Sequence, residues 1–172
     1  FADSTHPQHN PVLGYGWIKK GEDKEVPTNT GRNHINLNGA VNIDSLDTVV
    51  RSSVTVNAAA IEDLLTAIKN KNPQSKKIAL ILDNAKYNHA RSVVALAKKL
   101  NIELIYLPPY SPNLNPIERL WKFFKKKVLH NKYYETLEEF TRVCSEFFRC
   151  RLRKYKHELR SLLTDNFHIV GT

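Results

Sequence analysis

Two short apolar runs, IALIL at residues 78–82 and IELIYL at 102–107, stop abruptly on an acid and a proline, and the amphipathic stretch HARSVVALAKKL separates them. A strand open to water on one face alternates apolar with polar side chains. These runs do not alternate, so each strand must be covered on both faces. Strand, helix and strand in that order join in parallel through a right-handed crossover. The remaining chain has to supply the helices that cover the sheet.

Upstream, FADS reads as a strand in progress, and a looped stretch with Gly14, Gly16, Gly21 and Gly31 holds a short strand, YGWIKK, at 15–20. HINLNGAVNI and DTVVRSSV cluster β-formers around a turn at Asp44 and Ser45, which predicts an antiparallel hairpin. After Asn57, Ile61, Leu64, Leu65 and Ile68 share one helical face. Downstream, one helix is predicted from Pro116 to about Val128. A second runs from about Leu137 to Leu163 with room for a bend, Thr136 and Glu139 standing at capping-box spacing. The order β, β, β, α, β, α, β, α, α predicts a mixed α/β sheet with helices on both faces.

At 172 residues the chain fits one domain, 1–172, and no apolar run nears the roughly 18 residues that cross a bilayer. No membrane partner is expected. Cys144 and Cys150 match neither a disulfide framework nor a zinc knuckle and read as reduced thiols of an intracellular protein. The sequence has no methionine and reads as a fragment. Of the net charge of +9, nearly all lies between Arg119 and Arg160, where thirteen Lys and Arg face five Glu. A basic segment of that density suits a phosphate backbone, since each neutralised phosphate releases condensed counterions. A solvated helical surface gives the same pattern.

Three acids stand at informative places. Asp83 ends the first apolar run, where open α/β sheets bind ligands beyond the strand carboxyl ends; capping the next helix with Asn84 is the plainer alternative. Asp3 lies in the opening strand. With His6 and His9 it offers metal-binding residue types, but Pro7 interrupts any regular element between them. Glu118 follows Pro108, Pro109 and Pro112, which keep the segment extended. Asn115 then suits the N-cap, Pro116 the first helical position and Glu118 the third, where a glutamate also reaches back to its cap. Ile117, Leu120, Trp121, Phe124 and Val128 form the buried stripe of that helix, and Arg119, Lys122, Lys125, Lys126 and Lys127 lie mostly outside it. Asp44 and Asp47 are read as hairpin-turn residues.

LILDNAKYNHA followed by IYLPPYSPNLNPIERLW resembles the catalytic domain of the mariner superfamily of DDE transposases, most closely its bacterial insertion-sequence branch, the six-thirty family. That family carries Asp, Asp and Glu with 34 residues between the last two, and 34 residues separate Asp83 from Glu118. FADSTHPQH, GYGWIKKG and NTGRNHINLNGAVN resemble the family's first catalytic strand and the segment after it. The likeness covers residues 1 to about 150.

The resemblance implies a ribonuclease H-like fold: a five-stranded mixed sheet, three strands antiparallel and two parallel, with Asp3 brought beside Asp83. It implies Asp3, Asp83 and Glu118 as catalytic and metal-binding residues, cut-and-paste movement into TA sites, and a homodimer acting on DNA ends and target DNA. A DNA-gripping helix-turn-helix region is expected to be absent. Lys86, His89, Arg119, Lys122, Lys125 and Lys126 are candidates for DNA phosphates, with surface solvation as the alternative for each. A cytoplasmic, nucleoid-associated location is expected if the source is bacterial.

Chemistry points the same way. A positioned general base supplies about 10²- to 10⁴-fold. Phosphate ester cleavage demands accelerations of about 10¹⁷-fold or more. Two magnesium ions, for which manganese can substitute, suit hard carboxylate ligands and can serve both the attacking and the leaving oxygen. Two other functions remain open at this stage: a decayed or domesticated domain that binds nucleic acid without cleaving it, and a receiver phosphorylated on Asp83. The antiparallel hairpin argues against the receiver.

Overall fold

The computed structural model describes residues 1–14, 17–23, 25–29, 31–109 and 111–164. Strands β1 (Ala2–Thr5), β2 (Asn36–Val41) and β3 (Thr48–Ser53) form an antiparallel sheet in that order, and β4 (Ile78–Leu82) and β5 (Ile102–Tyr106) pair in parallel. β1 lies against β4, so the strands run β3-β2-β1-β4-β5 across the layer. Among the described residues the hydrogen-bonded ladders divide into three strands and two, without a ladder between β1 and β4. The fold is the expected ribonuclease H-like α/β mixed sheet. The short strand expected at 15–20 is absent from Trp17–Lys20, and Tyr15 and Gly16 lie outside the described residues.

Every residue of β2 is buried, because helices cover both of its faces. Leu37 and Val41 pack toward α3 (Ile117–Val128), α4 (Leu137–Glu146) and α5 (Lys156–Leu162). Ala40, on the other face, joins Ala2, Leu80 and Leu82 against α1 (Ala58–Lys71) and α2 (Arg91–Lys99). The aromatic side is the heavier: Trp121, Phe124, Phe140 and Phe147 are almost fully buried. Truncating any of them to alanine costs about 3–5 kcal/mol.

Local signals set the helix starts. The Ala60 N–H donates to Asn57 Oδ1, and the Glu139 N–H donates to Thr136 Oγ1, the latter as the capping-box spacing predicts. Glu139 reaches one residue beyond the expected partner and accepts from the Glu135 N–H. The final helix bends after Glu146: residues Phe147–Arg151 take a π turn and Leu152–Tyr155 a 3₁₀ turn before α5 begins. Asn42 holds the β2–β3 turn by accepting from the N–H groups of Asp44 and Ser45, which confirms those residues as turn formers. Among the described residues no helix is long and apolar enough to cross a membrane. Cys144 is buried and Cys150 exposed, both as free thiols.

Candidate active site

Asp3 sits in the middle of β1, opposite Gly39 of β2. Strand alternation turns its side chain away from the Ala2 face and toward α3. There the Trp121 indole Nε1–H donates to Asp3 Oδ2 at 3.1 Å. Asp83 stands one residue beyond β4. Its Oδ1 accepts from Asn88 Nδ2 at 2.7 Å and from the Ala85 N–H at 3.2 Å, so the turn leading to the 3₁₀ segment Lys86–His89 folds around the carboxylate. Both aspartates line one tight cleft with Ser4, Tyr87 and Asn88. The 79 residues between them are closed into a neighbour relation by β1 lying against β4.

Glu118 enters from the first turn of α3 and is half-buried. The approach corrects two sequence expectations. Residues Pro112–Leu114 form a 3₁₀ turn and not an extended strap. Asn115 does not cap α3 with its side chain. Its Nδ2 donates instead to the Ala2 carbonyl at 3.1 Å, a buried bond across 113 positions, and Pro116 occupies the cap without a side-chain bond. Asn115 therefore ties the start of the glutamate helix to the strand that carries Asp3.

Asp3 feels both of the other acids. Burial pushes the Asp3 carboxyl up from 3.8 to about 7, and Glu118 and then Asp83 add to the rise; the Ser4 N–H and the Trp121 indole pull the other way. Burial first, then Asp83, also raises the Tyr87 hydroxyl. None of the three acids forms an ion pair among the described residues. A half-buried trio of like charges without a cation, bearing only hard oxygen donors, fits a divalent ion such as magnesium. The trio is within electrostatic reach, but among the described residues no three His, Cys, Asp or Glu side chains form a ready-made metal cage. Asp3 and Asp83 instead turn oxygens onto Trp121 and Asn88.

The histidines near Asp3 are placed elsewhere. His6 Nδ1 donates to Asn36 Oδ1 at 2.6 Å, and buried His9 donates through Nε2 to the Tyr134 carbonyl while packing on Phe140. Of the candidate phosphate-binding residues, Lys86, Lys122 and Lys126 are exposed and Lys125 is half-buried; none of these four has an ion-pair partner among the described residues. His89 is exposed, lies 3.0 Å from Asn84 Oδ1 and stacks on Tyr106. Arg119 is already engaged: its guanidinium donates to the carbonyls of Leu162 at 3.0 Å and Thr164 at 2.7 Å, closing the end of α5. Asn88, Asn115 and Trp121 are the site residues that sequence reasoning missed. The asparagines fall in turn-rich segments and the tryptophan in an apolar stripe, so local pattern gives each a sufficient explanation of another kind.

A model of the family described as DDE superfamily endonuclease matches residues 1–141. An insertion element IS630 uncharacterized 39 kDa protein of Shigella sonnei is 27% identical over 132 residues, 76% of this chain and 38% of that protein. An uncharacterized protein of Sinorhizobium fredii is 31% identical over 85 residues, 49% of this chain and 61% of that protein. The chain thus spans less than two thirds of either relative. The Mos1 transposase paired-end complex with left transposon end superposes with a TM-score of 0.66 at 19% identity, covering 97% of this chain and 55% of that one. The catalytic domain of Mos1 mariner transposase gives 0.58 at 19% identity, covering 86% and 81%. These structural likenesses are of fold.

Proposed function

The chain belongs to the DDE superfamily endonucleases, and from that premise we propose that it is the catalytic domain of a DNA transposase that cuts DNA at the ends of a mobile element and joins the freed ends to target DNA. The observation that supports the reading is geometric: Asp3 of β1 and Asp83 at the end of β4 line one cleft, and Asn115 ties the start of the Glu118 helix to β1. A structural cluster of that kind has no stabilising role of its own, because buried like charges oppose folding.

Asp3, Asp83 and Glu118 are the residues that would hold magnesium or manganese. When bound, such ions neutralise developing charge and make an oxygen nucleophile available at neutral pH. The protein's part is orientation. Trp121 fixes one oxygen of Asp3, Asn88 one oxygen of Asp83, and Asn115 sets the distance between the Glu118 helix and β1. In the cutting step a water oxygen attacks the scissile phosphorus and the 3′ oxygen leaves as a hydroxyl. In the joining step that hydroxyl attacks a target phosphorus, and a new diester replaces the one broken. Lys86, Lys122 and Lys126 are exposed at the segments that carry Asp83 and Glu118, where a DNA backbone would approach. The joining of two ends calls for a pair of such domains, so a homodimer is part of the reading.

The test is nicking of a duplex carrying the element's end, with magnesium, manganese or chelator present. Metal-dependent cleavage that disappears in Glu118→Gln, while DNA binding survives, is the expected result. Binding without cleavage in either metal would leave a nucleic-acid-binding domain in place of an enzyme.

A further inference from the structure

We propose that a second phosphate-backbone site lies at the β3 edge of the sheet, in a groove between that strand and the bend of the C-terminal helix. It rests on the preceding reading only in taking nucleic acid as the occupant. The groove holds about 830 Å³ and is lined by Arg51 of β3, Lys71 of α1, and Arg149, Arg153 and Lys156 of the bend, against a single acid, Asp47. β3 pairs only with β2 among the described residues, so its outer edge is open to the groove.

Two of the five cations are partly engaged. Arg51 holds Asp63 through two hydrogen bonds, and the Lys71 ammonium donates to the Thr48 carbonyl. Arg149, Arg153 and Lys156 are exposed and form no ion pair among the described residues. The π turn and the 3₁₀ turn that follow one another here bring all three to the lining of the one groove. At helical rise the row is roughly 10 Å long. That length matches about three nucleotides of one strand at 3.4 Å each. The π turn at Phe147–Arg151 sinks Phe147 and Leu152 into the core and leaves the arginines outward. Phe148 lines the groove and stacks edge-on against Trp121, the residue that holds Asp3. The second site is thus two strands away from Asp3 across the sheet, roughly 10 Å at ordinary strand spacing.

Charge complementarity chooses the occupant. A row of unpaired guanidinium and ammonium groups facing one carboxylate is matched by a regular polyanion, and an arginine fork fits phosphate oxygens in pairs. The bend that carries Arg149, Arg153 and Lys156 lies beyond residues 1–141, the span that the family model matches.

Fluorescence anisotropy of a labelled random-sequence duplex, titrated with the whole chain at several salt concentrations, tests the proposal. The triple variant Arg149→Gln/Arg153→Gln/Lys156→Gln is expected to bind on the order of 100-fold more weakly at 0.1 M salt, and its log–log salt slope to fall by about 2 to 3. Arg149→Lys/Arg153→Lys keeps the charge and is expected to retain the parental slope, which separates lost charge from lost folding. An unchanged affinity and slope in the triple variant overturns the site. So does equal binding of an acidic peptide that DNA fails to displace. Glu118→Gln serves as the marker for the other reading: it abolishes nicking and leaves the salt slope at the parental value, so failure of the groove and failure of the transposase assignment give different results.

Discussion

A Cβ added to Gly39 would stand 2.5 Å from Cη2 of Trp121, well inside contact distance. The obstacle is the rim of an indole that is 2% exposed, and its nitrogen is bound to Asp3. Gly39 in the middle of β2 therefore leaves the space in which the tryptophan lies flat enough to reach the carboxylate. Gly39→Ala is expected to destabilise the fold by about 1–3 kcal/mol through overpacking. It should also lower nicking at a temperature where the variant remains folded. Thermal melts and nicking assays on the same preparation check both, and a variant as stable and active as its parent would show that the indole has room to move.

Trp121→Phe keeps most of the ring and removes the donor. The indole bond is among the influences that hold the Asp3 carboxyl down, so its loss lets burial and Glu118 push that carboxyl further up. The acidic limb of the nicking profile is expected to move to higher pH. Activity should recover in part at alkaline pH, which a simple packing defect would not produce.

The protonation of Asp3 makes stability depend on pH in a defined direction. Its carboxyl is raised from 3.8 to about 7 in the folded protein, so between those values the folded chain keeps a proton that the unfolded chain has lost. Stability from this group is full below about pH 4 and declines as pH rises toward 7. Asp3→Asn removes the charge and should be more stable than the parent at pH 8, by no more than about 4 kcal/mol, the equivalent of three pKa units. The difference should vanish near pH 4. Millimolar magnesium is expected to raise the melting temperature of the parent at pH 8 and to leave Asp3→Asn unmoved.

What local pattern could reveal, and what it could not, divides along chain separation. The apolar runs at 78–82 and 102–107 announce strands, and Thr136 announces a helix start, because each signal is complete within a few residues; the expected cover on both faces does not hold, since Ala79, Glu103 and Ile105 are exposed at this side of the sheet. Asp83 and Glu118 stood out by their positions at a strand end and a helix start, whereas Asp3 was singled out only by the resemblance to the DDE family, which also gave the 34-residue spacing its meaning. Their supports were not legible. Asn115 reaches Ala2 across 113 positions and Trp121 reaches Asp3 across 118, and neither bond leaves a periodic trace. Asn115 illustrates the failure most clearly, since a residue ideal for capping by local rules is taken by a distant carbonyl. Arg119 is similar: in a run of surface cations it looks like a phosphate ligand, and only the folded chain shows the carbonyls of Leu162 and Thr164 around it.

That placement separates Arg119 from its neighbours on α3. Removing its side chain in Arg119→Ala leaves the carbonyls at the end of α5 without a charged donor, and hydrogen bonds to charged groups contribute about 1.5–3 kcal/mol each. A loss of stability in that range is expected, with DNA affinity changed less than threefold once the protein is folded. Lys122→Gln/Lys126→Gln should do the reverse, because both ammonium groups are exposed and unpaired among the described residues. Melting should stay within about 0.5 kcal/mol of the parent, as for surface substitutions in general. DNA affinity should drop, with the salt slope lowered by about 2. Anisotropy and melting curves run side by side decide the matter: if Arg119→Ala weakens DNA binding as strongly as the lysine pair at equal stability, its guanidinium leaves the α5 carbonyls for a phosphate when DNA is present.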